Sequence, residues 1–263
     1  MKKLALVLGG GAAKGYAHVG VLKELEKHGI VPDLIVGTSM GALVGGMYAS
    51  GKTIGQLEEL ASKFNSLGSF SLISTLFKDN ILNINNVKKI LTKELDNKTY
   101  EDCKVKFVSI ATDLATGEAE EFCSGNLKDG IMASISIPGV FPRCKINGKY
   151  YADGGIVNNL AEDVAKNIMP DALVVSVDVL GEYSKQVEKC KLKTLESVLN
   201  AMTIFITNNI KNKPQLADIR LTMSMPSVSQ LDFTAKTSEK TIRKGQLFTK
   251  KYITKIKELL KEE

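Results

Sequence analysis

The chain has no tryptophan, only two histidines, and four scattered cysteines. Each shortage closes off a class of chemistry. Both histidines, His18 and His28, lie near the start, so a serine–acid–histidine order has no histidine to end on further along. Cys103, Cys123, Cys144 and Cys190 show no C-x-x-C spacing and no metal-like cluster, which argues against a zinc site. Free thiols in a reducing compartment are expected. No run approaches the ~18 apolar residues that suggest a transmembrane helix. The opening Met1-Lys2-Lys3 and Leu4–Leu8 imitate a secretory signal, but the apolar run stops at Gly9, short of the roughly 7–15 residues such a segment needs. The expectation is a cytoplasmic chain, at most peripheral to a membrane. There is also no internal period of about 20–50 residues, so repeat architectures are set aside.

What is present suits a globular protein. The chain has 263 residues, 44% apolar and 24% charged, enough for one large α/β domain with a sizeable core. Net charge is +6 and uneven. Lys185, Lys189, Lys191 and Lys193 share one polar stretch, and eight further basic residues from Lys240 to Lys261 decorate the C-terminal segment. Such a surplus weakly favours anionic partners, an anionic membrane face among them, and a solvated helix face is the preferred reading. No nucleic-acid-binding signature accompanies it, so no nucleic-acid partner is expected.

The hydrophobic pattern reads as strand, loop, helix, strand, turn, helix, which is the grammar of a mostly parallel sheet covered by helices. Leu4–Leu8 is a buried strand. A helix runs from Tyr16 towards His28, with Gly29 as its stop. Leu34–Val36 is a second strand, Gly37–Gly41 a tight turn, and a helix follows to Gly51. Residues 53–100 read as mixed helix. Val105–Thr112 and Glu118–Cys123 read as paired strands, and Asn147-Gly148 marks a hairpin within Lys145–Tyr151. Ala172–Val177 and Ile219–Met223 are further strands. The polar stretch 181–193 is expected as a mobile loop, and the apolar stretch 70–82 as core packing or a lid. Residues 240–260 are expected as one amphipathic helix with Phe248, Tyr252, Ile256 and Leu259 on a face.

Three glycine-bearing motifs sit on this frame. Gly37-Thr38-Ser39-Met40-Gly41 is a G-x-S-x-G between a strand and a helix. A sharp turn there lifts a serine hydroxyl clear of the sheet, and the small flanking residues Gly37 and Gly41 permit the crowded backbone. The following helix aims its positive dipole end at the same place. Gly9-Gly10-Gly11-Ala12-Ala13-Lys14-Gly15 joins the first strand to the first helix. It fails both the P-loop pattern and G-x-G-x-x-G, but it offers a run of backbone N–H groups that can bind a developing oxyanion. In a doubly wound sheet the two loops are neighbours at the carboxyl ends of adjacent strands. Asp153-Gly154-Gly155, read alone, is turn chemistry. His28 is explained by its place at a helix C-terminus, and His18 by packing or capping, so the serine needs another base.

Together these stretches, with Ala133–Pro142 between them and Asp218-Ile219 and Asp232-Phe233 near the end, resemble the patatin-like phospholipase family. The likeness spans nearly the whole chain and is closest to stand-alone bacterial members related to neuropathy target esterase. It implies a three-layer α/β/α sandwich with a mostly parallel central sheet, formed as a single domain over 1–263. It also implies a carboxylic ester hydrolase of phospholipids or lysophospholipids that works through a Ser39–Asp153 dyad and an acyl-enzyme. N–H groups of Gly10, Gly11, Ala12 and Ala13 would hold the oxyanion, and no metal or cofactor is implied.

The physics of such a dyad is coherent, because burial beside an acyl pocket raises a carboxylate's pKa towards that of a useful base. Gly154 and Gly155 would leave room for substrate. Lys14 matches the family's basic position, to orient the loop, meet anionic substrate or simply stay solvated. Ala12 departs from the family, which commonly has glycine there; the loop either avoids positive φ or carries strain. Two other readings stand beside the enzyme: a phosphate-binding module at Gly9–Gly15, and a catalytically silent scaffold that binds acyl chains or a partner.

Overall fold

The computed structural model describes residues 2–66, 84–95, 97–181, 193–230 and 232–262. The expectations for the stretches 70–82 and 182–192, and for Cys190, fall outside these residues.

The chain opens with β1 (Leu4–Leu8), a 3-10 turn (Ala12–Tyr16) and α1 (Ala17–Lys27). Helix α1 stops as its sequence requires. Gly29 takes φ +70°, and the N–H of Ile30 returns to the Leu25 carbonyl at 3.0 Å, a left-handed cap that only glycine enters freely. Then come β2 (Leu34–Thr38), α2 (Met40–Ala49), α3 (Ile54–Ser66) and α4 (Ile84–Leu95). The middle of the chain holds β3 (Lys106–Asp113), β4 (Ala119–Phe122), α5 (Leu127–Ser134), β5 (Cys144–Ile146) and β6 (Lys149–Asp153). A short α6 (Gly155–Asn158), α7 (Glu162–Ile168), β7 (Leu173–Asp178), α8 (Lys193–Asn212) and β8 (Ile219–Thr222) follow. Two helices close it, α9 (Ala235–Lys250) and α10 (Ile253–Lys261).

The strands form one sheet in the order β5-β6-β3-β2-β1-β7-β8, with β4 also on β3. Pairings among β3, β2, β1, β7 and β8 are parallel, whereas β4 and β6 run antiparallel to β3 and β5 antiparallel to β6. β1 is central, and its pleat divides the core. Leu4, Leu6 and Leu8 face a large cluster with Leu22, Leu25, Met47 and Ile256, while Ala5 and Val7 face Val164 and Ala165 of α7. Helices on both faces make the three-layer α/β/α sandwich. Asn147 (φ 48°) and Gly148 (φ 85°) form the left-handed hairpin turn that their sequence predicts.

One expected element divides. The single helix over 240–260 is two, broken at Lys251 and Tyr252, whose N–H groups bond three residues back to Phe248 and Thr249. The buried Thr249 hydroxyl bonds the Gly245 carbonyl at 2.9 Å, and such back-bonding tightens and bends a helix. The expected face nonetheless turns inward: Ile256 is buried, and Phe248, Tyr252 and Leu259 pack against the core. Cys103, Cys123 and Cys144 are free thiols. No helix among the described residues is long and apolar enough to cross a membrane.

Candidate active site

Strand β2 delivers Ser39 at its carboxyl end, where the chain turns into α2. The serine backbone is strained, at φ 54° and ψ −123°, a region that non-glycine residues enter only when surroundings force it. The surroundings do so here. A Cβ on Gly41 would run into the Leu8 carbonyl, and one on Gly37 would stand 2.6 Å from the Gly41 carbonyl oxygen. The two flanking glycines are thus what lets β2 and α2 meet so tightly. The Ser39 N–H is donated to Ser134 Oγ at 2.8 Å, and Thr38 Oγ1 donates to the Asn158 carbonyl at 3.1 Å. These bonds tie the turn to the end of α5 and to α6.

Asp153 arrives from a different direction. It ends β6, opposite Ala111 of β3, with its N–H on the Ser136 carbonyl at 2.9 Å and its own carbonyl accepting from Thr112 Oγ1 at 2.8 Å. Its carboxylate meets the serine: Ser39 Oγ donates to Asp153 Oδ2 at 2.5 Å, and Gly155 N–H donates to Oδ1 at 2.8 Å. Both residues are only 5% exposed. Burial pushes the Asp153 pKa up to about 6, against the opposing pull of its two hydrogen bonds. Of the two glycines expected to leave room for substrate, Gly154 is packed against protein, while Gly155 borders a cavity. A Cβ on Gly154 would strike the Ile110 carbonyl, and one on Gly155 would lie 2.8 Å from Asn159 Oδ1.

The glycine-rich loop at the end of β1 lies against this pair, since a Cβ on Gly10 would be 2.9 Å from Ser39 Cβ. Among the described residues, no acceptor takes the N–H groups of Gly10, Gly11 or Ala12. Ala13 differs from its expected role, because its N–H is donated to the Gln230 carbonyl at 3.1 Å. Ala12 takes φ 47°, so the loop does carry the strain that glycine would relieve. Lys14 is half-buried. Burial holds its pKa below the usual lysine range, Asp178 pulls it back up and Lys244 pushes it down further. Beside Gly155 and Asn159 opens a cavity of about 250 Å³, lined by Val157, Leu160, Ile210 and Leu216 together with Glu162, Asp163, Lys213 and Arg220.

Neither histidine hydrogen-bonds to Ser39. His28 caps α1 and meets Glu24 at 3.2 Å. His18 is fully buried and bonds the Gly9 carbonyl through Nε2 at 2.7 Å. Sequence reasoning does not single out Ser134, Asn159 or this loop contact of His18. Ser134 had a signal, standing in the Ala133–Pro142 stretch that carries the family likeness; Asn159 had none. Among the described residues, no cluster of three His, Cys, Asp or Glu is arranged to hold a metal ion.

The profile of the family described as "Patatin-like phospholipase" matches residues 6–166. A protein named lysophospholipase nte1 from Emericella nidulans is 30% identical over 236 residues, covering 88% of this chain and 15% of its own length. An uncharacterised NTE-family protein from Mycobacterium bovis is 33% identical over 204 residues, covering 76% of this chain and 55% of its own. The chain therefore spans about 15% of the fungal relative's length. The crystal structure of VipD from Legionella pneumophila shares the fold, with TM-score 0.53 at 15% identity over 97% of this chain and 67% of that one.

Proposed function

Given that this chain belongs to the patatin-like phospholipase family, a family of lipid ester hydrolases, we propose that it hydrolyses carboxylic esters of phospholipids or lysophospholipids through Ser39 and Asp153. The observation that carries this reading is the 2.5 Å hydrogen bond from Ser39 Oγ to the buried Asp153 carboxylate, at a strained strand-to-helix turn. A fungal relative's name, lysophospholipase, supports the choice of substrate class.

In the reaction so read, Asp153 starts ionised and accepts the Ser39 hydroxyl proton as Oγ attacks the ester carbonyl. The carbonyl electron pair moves onto oxygen, and the N–H groups of Gly10, Gly11 and Ala12 stabilise that oxyanion. Collapse of the tetrahedral adduct expels the alcohol, which leaves with the proton from Asp153, and the acyl group stays on Ser39. Water, deprotonated by Asp153, then attacks the acyl-enzyme, and collapse of that adduct returns the proton from Asp153 to the departing Ser39 Oγ as the fatty acid is released. Ala13 is left out of the oxyanion set because its N–H is already engaged by Gln230. The cavity at Gly155 and Leu160, whose lining mixes aliphatic side chains with Glu162, Asp163, Lys213 and Arg220, is assigned to the acyl chain. Lys14 is assigned to loop orientation rather than to chemistry.

The test is a hydrolysis panel of phospholipid, lysophospholipid and monoacyl ester, run on the parent and on Ser39→Ala. The expected outcome is turnover by the parent and none by the folded variant. A parent that hydrolyses nothing would instead favour a silent acyl-binding scaffold, and a fully active Ser39→Ala would place the nucleophile elsewhere.

A further inference from the structure

His18 does no proton transfer in the mechanism above, yet it is fully buried beside the site's most exacting loop. Its Nε2 stands 2.7 Å from the Gly9 carbonyl oxygen, while Nδ1 has no partner among the described residues. A carbonyl can only accept, so Nε2 must carry the hydrogen. The buried ring is neutral, with its pKa pushed down to about 4 by desolvation, and Nδ1 remains a bare acceptor.

The geometry of one peptide group gives this bond its consequence. The Gly9 carbonyl and the Gly10 N–H belong to the same planar unit, and the chain has no cis peptide bond among the described residues. In a trans peptide the C=O and N–H point in opposite directions. Holding the carbonyl towards α1 therefore turns the Gly10 N–H away from α1, and Gly10 is the loop residue that abuts Ser39. The other side of Gly9 is held as well, since its N–H bonds the Val177 carbonyl at 3.1 Å. The next carbonyl, that of Gly10, accepts from Asn159 Nδ2 at 3.4 Å, a looser hold on the peptide that carries the Gly11 N–H. Donation to a carbonyl also polarises its peptide and strengthens the N–H on the far side. Without such a grip a glycine-rich peptide can rotate, because glycine places little steric limit on φ and ψ.

We propose that His18 is a positioning residue which, by donating to the Gly9 carbonyl, aims and polarises the Gly10 N–H as an oxyanion donor, with Asn159 doing the same for Gly11. This rests on the reading of Ser39 as nucleophile. It predicts a defect in transition-state stabilisation rather than in substrate binding.

The test compares the parent with His18→Phe, which keeps a flat ring and removes the donor, and with His18→Gln, whose amide restores one. Each is assayed on 4-nitrophenyl butyrate and on the matching thionoester, whose sulfur is a poor acceptor for the same N–H groups. Losing one oxyanion donor costs about 10²–10³ in kcat, so misaiming one should cost ~10 or more on the oxygen ester. KM should hold, the thionoester rate should change little, and His18→Gln should recover most of the loss. Should His18→Phe not fold, Asn159→Leu is expected to show the same oxygen-selective signature.

An equal loss on both esters, a change in KM alone, or no loss in a folded His18→Phe overturns the proposal. A parent without turnover sinks the Ser39 reading instead. In that case the Gly10 amide, followed by NMR, still decides the positioning claim. It should lose order in His18→Phe and keep it in His18→Gln, and identical spectra would contradict the grip.

Discussion

A carboxylate that titrates near 6 is a serviceable base at neutral pH and a liability to the fold that buries it. The folded protein holds the Asp153 proton more tightly than the unfolded chain, whose aspartate titrates near 3.8. Stability from this residue is therefore fully present below pH 3.8 and is lost as pH rises through about 6. In the proposed mechanism activity runs the other way, because only the ionised form can accept the Ser39 proton. The acid limb of kcat/KM is expected at about pH 6. Asp153→Asn should lower kcat by ~10² or more, the lower end of a positioned base's contribution. The same variant should unfold later than the parent above pH 6, by up to roughly 3 kcal/mol for a shift of about two units. Paired pH–rate and denaturation curves check both. An acid limb near 4, or near-normal turnover in Asp153→Asn, would return Asp153-Gly154-Gly155 to the turn that its composition suggests. At this scale the sequence brought out Ser39 by its strand-turn-helix setting and Asp153 through the family resemblance, since Asp-Gly-Gly read alone is a turn, and the structure sets the two within hydrogen-bond distance. It offered only packing or capping for His18, whose partner Gly9 is brought near by the 3-10 turn between them.

Among the elements, α1 and α9 approach each other closely, and the contact is built on two glycines. A Cβ on Gly20 would collide with the Ile242 carbonyl, and one on Gly245 with the Ala17 carbonyl. Gln246 Nε2 also donates to Glu24 Oε2 across the pair at 2.9 Å. The expected result of Gly20→Val is a loss of at least ~2 kcal/mol of stability, since backbone rather than a movable side chain must give way. Chemical denaturation measures it, and an unchanged midpoint would contradict the crossing. Because α1 carries His18, activity should also fall in that variant. Helix α1 was legible from its apolar spacing and α9 only as the first part of one expected helix over 240–260, but their partnership was not, since nothing local links glycines so far apart in the chain. The hairpin at Asn147-Gly148 was legible because its turn residues carry the conformation themselves. The break at Lys251-Tyr252 was hidden, because it follows from where Thr249's hydroxyl finds an acceptor and no Pro or Gly marks it.

Taken whole, the molecule gathers its site from strands far apart in the chain: the loop after β1, the turn after β2 and the end of β6. The parallel run β1–β2–β3 sets the first two side by side, and the antiparallel β6 brings the aspartate back against β3. The parallel part was readable from the order of strand and helix signals. The antiparallel return was not, since strand direction leaves no trace in composition. This architecture predicts one hyper-reactive serine among the many hydroxyls of the chain. Incubation with a fluorophosphonate, followed by peptide mass spectrometry, tests that directly. The account predicts a single stoichiometric adduct on Ser39, formed more slowly in Asp153→Asn and absent in Ser39→Ala. An adduct on another residue, or none at all on folded parent protein, would contradict it.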